Sequence, residues 1–264
     1  MTVQFTTIRA TGSAARRHSL AASAAIAALV ALTGFASAAD RAPAADRGMT
    51  DRPVLMAQAT ATDEKPAEET ASADVKVPEP EGTVDVEKLM SSEALPDVVI
   101  GDKDAPVTIV EYASLTCSHC REFHQTTYPK IKKDFIDTGK AKLIIREFPF
   151  DPRALAAFML ARCTGEDAKR TAMVDVMFDQ QPQWAYSNQA SAELLKISRL
   201  AGMTEDQFKA CLSDKELQKK IVDVQQRGET EFGVNATPTF FVNGDKYAGA
   251  LEAGQMAAVI QKHM

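Results

Sequence analysis

The segment VTIVEYASLTCSHC, residues 107–120, constrains the fold more than any other part of the 264-residue chain. Val107 to Ala113 is β-branched and aromatic, the composition of a buried strand. Thr116 and Ser118 are both N-cap residue types, so a helix is predicted to start at Cys117-Ser118-His119-Cys120. A bond between two cysteines on one helical turn closes almost no loop and restricts the unfolded chain very little. Its use is therefore chemical rather than structural.

The local electrostatics point the same way. At the first turn of a helix, unpaired N–H groups and the helix dipole favour negative charge. His119 adds a donor, and a positive charge if protonated. Such a setting lowers a thiol from about 8.5 to between roughly 3.5 and 7.5. Each unit favours the thiolate, and with it the reduced pair, by about 1.4 kcal/mol. A disulfide whose reduced form is stabilised oxidises other thiols, so a strained, oxidising bond is expected here. Metal binding by Cys117, Cys120, His119 and His124 is the rival reading. A C-x-x-C is half of the usual zinc framework and no second close pair exists, so no metal site is assigned. Haem attachment needs a histidine directly after the second cysteine, where Arg121 stands. His124 alone reads as a partly exposed helix residue.

Two further positions carry chemistry. Glu111 shares a strand face with Val107, Ile109 and Ala113. It is either a buried carboxylate that exchanges a proton with Cys120 or an edge glutamate with no role. Pro238 opens the TFFV strand, where it removes a ladder donor. A cis Thr237–Pro238 bond would leave Thr237 groups free to pair with an extended substrate chain. Spacing alone leaves the trans form open.

Four cysteines are present, an even count that suits an exported protein. Pairing by neighbourhood joins Cys117 to Cys120 and Cys163 to Cys211. The second bond would close 48 residue steps and add roughly 4 kcal/mol. Two unpaired buried thiols are the other possibility.

The N-terminus has the order of a secretory signal, assigned to residues 1–38. Arg9, Arg16 and Arg17 precede an uncharged run from Ser19 to Phe35, and Ala36-Ser37-Ala38 is a small-x-small cleavage site. Arg16-Arg17 fits an ordinary basic start and also a twin-arginine signal. Left uncut, the uncharged stretch reaches from Ser19 to Ala39, long enough to serve as an N-terminal anchor. Either way the remainder is expected in the periplasm, where disulfides persist. The signal holds three of the 30 basic residues and none of the 36 acids, so the net charge of −6 becomes −9 beyond it. That balance argues against nucleic acid as a partner.

Residues 39–84 contain five prolines and no aromatic residue. They are read as a disordered linker unable to bury enough apolar area to order itself. The folded domain is assigned to 85–264. A short helix is predicted at Asp85–Ser91, an edge strand within Ala94–Ile100, and strands at Val107–Ala113 and Lys142–Phe148. The helix from the cysteines runs to Gly139 with a kink at Pro129. Helical periods fill 151–227 as an insert. Thr239–Val242 is a strand, Asn243-Gly244 a hairpin turn into a second strand, and Glu252–His263 a last helix. The class is α/β, a mixed central sheet flanked by helices with an inserted helical domain.

The combination of VTIVEYASLTCSHC, the helical insert and GVNATPTFFVNG resembles the DsbA-like branch of the thioredoxin superfamily over residues 94–264. The resemblance implies a thioredoxin-like fold and a protein disulfide oxidoreductase. Cys117 would be the exposed nucleophile, Cys120 its buried resolving partner, and His119 the histidine of the motif. Glu111 would be the acid before the nucleophile, and Thr237 with Pro238 the substrate-binding cis-proline pair. Cys163 and Cys211 are similar to the second disulfide of some branches. The family departs here in Ser118, where the best-known members carry proline, and in Thr237, which some replace with valine. No cofactor is implied beyond the Cys117–Cys120 disulfide. The implied partners are unfolded exported proteins with free thiols and a DsbB-type quinone-linked membrane protein for reoxidation. The alternatives are an isomerase or reductase kept reduced by a DsbD-type partner, and a metal-binding or holdase-type chaperone.

Overall fold

The computed structural model describes residues 76–91 and 93–264. The predicted signal and most of the predicted linker lie outside them. Six strands form one mixed sheet: β1 (Gly82–Thr83), β2 (Val99–Gly101), β3 (Val107–Ala113), β4 (Ala141–Glu147), β5 (Thr239–Val242) and β6 (Asp245–Ala248), in the order β1-β6-β5-β3-β4-β2. Only β3 and β4 run parallel to each other. The pairs β2–β4, β3–β5, β5–β6 and β1–β6 are antiparallel.

β3 lies between β4 and β5 and all but one of its residues are buried, the condition of a strand covered on both faces. Register sets Glu111 opposite Ile145 on β4 and Phe240 on β5, in the middle of the sheet. The β5–β6 connection is the predicted Asn243-Gly244 turn. Asn243 has φ 45° and Gly244 φ 94°, the left-handed pair that a two-residue hairpin loop requires. The Asn243 side chain accepts from Thr108 N at 2.8 Å and ties the turn to β3.

Ten helices surround the sheet among the described residues. α1 is Val86–Met90, capped by Asp85. α2 (Ser118–Thr126) gives way at Thr127 to α3 (Tyr128–Ile131), which has Pro129 in its first turn and continues as a π turn to Ile136. The predicted kink therefore divides the helix in two. α4 (Pro152–Arg162), α5 (Asp167–Asp179), α6 (Gln181–Trp184), α7 (Ala190–Leu200), α8 (Glu205–Ser213) and α9 (Lys215–Phe232) form the insert, and α10 (Ala253–Lys262) packs against α3. Cys163 and Cys211 are joined by a disulfide that links the end of α4 to α8.

Three boundaries differ from the sequence reading. Pairing begins before residue 85. Glu81 N donates to Lys246 O at 2.8 Å and Val84 N to Gly244 O at 2.9 Å. These are backbone bonds that need no apolar side chain, so composition does not reveal them. The strand expected over Ala94–Ile100 shrinks to Val99–Gly101. The insert runs past Arg227 to Phe232, because α9 buries Ile221, Val224, Gly228 and Phe232 as one stripe. At Gly228 a Cβ would stand 2.6 Å from the Tyr112 ring, so glycine here admits the ring instead of ending the helix.

Two buried ionic clusters fasten the outer elements to β4. Arg146 bonds Asp97 at 2.8 and 3.0 Å, the Tyr112 hydroxyl at 3.0 Å and the Leu89 carbonyl at 2.9 Å. It also meets Glu93 at 2.8 Å, so the segment before β2 is locked to the sheet. Glu147 accepts from Arg162 at 2.7 Å and Arg170 at 2.8 Å, which fixes α4 and α5. Among the described residues no helix is long and apolar enough to cross a membrane.

Candidate active site

β3 ends at Ala113 and the chain turns through Ser114–Thr116 into α2, so the sheet delivers Cys117 to the helix N-terminus. Cys117 is itself the N-cap residue, between the two residue types expected to cap. Its sulfur therefore faces the N–H groups of the first turn. Cys117 is partly buried and Cys120, one turn on, is fully buried, both as free thiols. The environment drives the two sulfurs apart. The Cys120 thiol foremost, then Thr237 and the N–H groups of Cys120 and His119, pull the Cys117 thiol down to about 5 against the opposing effect of burial. Burial, the neighbouring Cys117 and the Glu111 carboxylate push Cys120 well above the ordinary thiol range. One sulfur is built to carry charge and the other to hold a proton.

Thr237 faces this pair from the loop before β5. The Thr237–Pro238 peptide bond is cis. The Cys117 thiol donates to the Thr237 carbonyl at 3.3 Å. The Thr237 hydroxyl is buried without a hydrogen-bond partner, which leaves it available as a donor once the sulfur ionises. His119 is placed differently from the expectation. Its imidazole is 70% exposed and lies 3.6 Å from Glu122, so its backbone N–H supplies the donor that its side chain was expected to supply.

Glu111 is fully buried and close enough to raise the Cys120 thiol. Its Oε2 lies 2.9 Å from His124 Nε2. His124 is therefore not the partly exposed residue expected from the sequence. It is buried and stacked on Phe178 at 4.1 Å between ring centroids. Periodicity along α2 puts it on the inner face with Cys120 and Phe123, but its partner is thirteen residues away on another element.

Two positioning residues were not singled out in the sequence reading. Gln181, at the start of α6, is buried and donates at 2.9 Å to both the Leu115 and Cys117 carbonyls. Asp151 caps α4 through the N–H groups of Arg153 and Ala154, and its other oxygen accepts from Thr116 Oγ1 at 2.5 Å. The Asp151-Pro152 pair is a readable cap signal. Nothing in the sequence marks Gln181. Among the described residues, no three His, Cys, Asp or Glu side chains converge as a metal-binding group.

Known proteins resemble this chain. The sequence profile of the family described as Thioredoxin matches residues 93–262. The crystal structure of Wolbachia pipientis alpha-DsbA1 is 36% identical with a TM-score of 0.61, over 67% of this chain and 94% of that one. Oxidised BdbD from Bacillus subtilis shares the fold at 24% identity and a TM-score of 0.57, over 63% of this chain and 92% of that one. A Rickettsia felis protein provisionally named as a protein-disulfide oxidoreductase is 37% identical over 148 residues, which is 54% of this chain and 51% of its own. The chain spans about half the length of the curated relatives it matches.

Proposed function

The chain belongs to the DsbA-like branch of the thioredoxin family, and from that premise we propose that it is a periplasmic protein disulfide oxidoreductase that passes its Cys117–Cys120 bond to exported proteins. The supporting observation is the split between the two sulfurs: Cys117 held near 5 at a helix N-terminus, and Cys120 buried and pushed upward. A substrate thiolate attacks Cys117 Sγ, a new S–S bond forms, and the bond to Cys120 breaks. Cys120 takes the electron pair and a proton supplied by Glu111. A second substrate thiolate then attacks the substrate sulfur of the mixed disulfide, and Cys117 departs as its stabilised thiolate. Two substrate thiols become one disulfide, and two electrons stay on the cysteine pair. No cofactor takes part. A DsbB-type quinone-linked membrane protein is the proposed acceptor that restores the disulfide. Thr237 and Pro238 are the proposed seat for an extended substrate chain.

The experiment is refolding of reduced, unfolded ribonuclease A by the oxidised protein, set beside reactivation of scrambled ribonuclease. Stoichiometric disulfide formation without reshuffling is the expected result. Reshuffling without net oxidation assigns the isomerase role instead. Loss of neither activity in Cys117→Ser overturns the reading of the site.

A further inference from the structure

The proposed chemistry leaves a buried histidine unused. His124 Nε2 is 2.9 Å from Glu111 Oε2, with both side chains almost wholly buried. It is the only hydrogen-bond partner of the Glu111 side chain among the described residues, and Glu111 Oε1 is buried without one. The imidazole cannot swing away. Phe178 stacks on its face, Phe123 meets it edge-on at 5.5 Å and Tyr128 lies at 5.2 Å. An unanchored carboxylate on β3 would have several rotamers open to it, whereas this one has a single oxygen tied and the other left free.

We propose that His124 is a positioning residue for disulfide exchange: by tethering Oε2 of Glu111 it keeps Oε1 free as the proton donor and acceptor of Cys120. This rests on the reading of the cysteine pair given above. When a thiolate breaks the Cys117–Cys120 bond, Cys120 leaves with the electron pair and takes the proton from the Glu111 carboxyl. The carboxylate left behind is a buried charge, and the His124 N–H is the donor that meets it. On reoxidation the Cys120 proton returns to Glu111 as the S–S bond forms. The ionisable groups around the ring are Glu111 on β3, Tyr128 on α3, Lys132 in the π turn, and Asp175 and Asp179 on α5. All except Glu111 line one cleft with His124.

The test measures the rate at which dithiothreitol reduces the oxidised full-length protein, across pH 5 to 9, for wild type, Glu111→Gln, His124→Leu, His124→Gln and the Glu111→Gln/His124→Leu pair. Glu111→Gln and His124→Leu should each slow reduction by about a hundredfold, the low end of what a placed proton donor contributes, and lose the same limb of the pH profile. The double variant should be no slower than either single one. His124→Gln keeps an N–H donor and should recover most of the rate. Alkylation of reduced Cys117 by iodoacetamide should stay at its wild-type rate throughout. A wild-type protein inert to dithiothreitol sinks the reading of the cysteine pair itself. Ordinary wild-type reduction with His124→Leu unchanged, or slowed while Glu111→Gln is not, overturns the role given to His124. If His124→Leu does not fold, His124→Gln and Glu111→Gln carry the test, and a His124→Gln as slow as Glu111→Gln is equally contrary.

Discussion

Replacing Gln181 separates the contribution of the helical insert from that of the cysteine motif. Its side-chain amide is the one donor to the Leu115 carbonyl among the described residues, and Leu115 is fully buried. The Cys117 carbonyl also receives Arg121 N at 3.1 Å, so it keeps a partner when Gln181 is lost. Gln181→Met preserves the unbranched stem and removes both hydrogen bonds. The stranded Leu115 carbonyl costs about 1–3 kcal/mol, and the lost bond to Cys117 about 1 kcal/mol more. A total loss of about 2–4 kcal/mol is expected. Gln181→Glu should be worse at neutral pH, because an ionised carboxylate sets acceptors against two carbonyl oxygens. Urea unfolding of the three reduced proteins, compared at a common slope, reads these differences. A loss for Gln181→Met well below 1 kcal/mol, or Gln181→Glu as stable as Gln181→Met, refutes the reasoning, because then the donated hydrogens are not what hold the loop.

Three other outcomes are expected. Burial alone would raise the Glu147 carboxyl, but Arg170 and Arg162 outweigh it and hold it near 2, below its ordinary 4.5. This depressed folded value gives a stabilisation of roughly 3 kcal/mol that is complete above pH 4.5 and lost as pH falls through 2. Unfolding of Glu147→Gln should therefore show a shallower decline over that window than wild type. Removing the Cys163–Cys211 bond with paired alanines should cost up to about 4 kcal/mol from the 48-residue separation, read by thermal unfolding, while dithiothreitol still reduces Cys117–Cys120 at the wild-type rate. Gly228→Ala should destabilise by about 1–3 kcal/mol through overpacking against Tyr112, although alanine is the better helix former.

What the sequence disclosed was local. The β-branched run of β3, the cysteines at the strand–helix junction, Thr237-Pro238 and the Asn243-Gly244 turn each carry their signal within a few residues. What it hid depends on partners far along the chain. β1 joins the sheet through backbone bonds and a Thr83–Asp245 side-chain bond, none of which needs an apolar residue. His124 became a buried residue only because Glu111 and Phe178 meet it from other elements. Gln181 has no motif, since its two acceptors are carbonyls more than sixty residues away. His119 shows the converse: the motif placed the residue correctly, but its imidazole turned toward Glu122 and its backbone took over the contact. Gly228, a poor helix former by type, is the position where α9 admits the Tyr112 ring.

The most direct measurement is the ultraviolet thiolate titration of the reduced protein, run beside Cys117→Ser. Half-ionisation near pH 5 that disappears in the variant is the predicted result, with thiolate exceeding thiol about a hundredfold at pH 7. A midpoint at or above the roughly 8.5 of a free thiol, or a low midpoint that survives in Cys117→Ser, contradicts it.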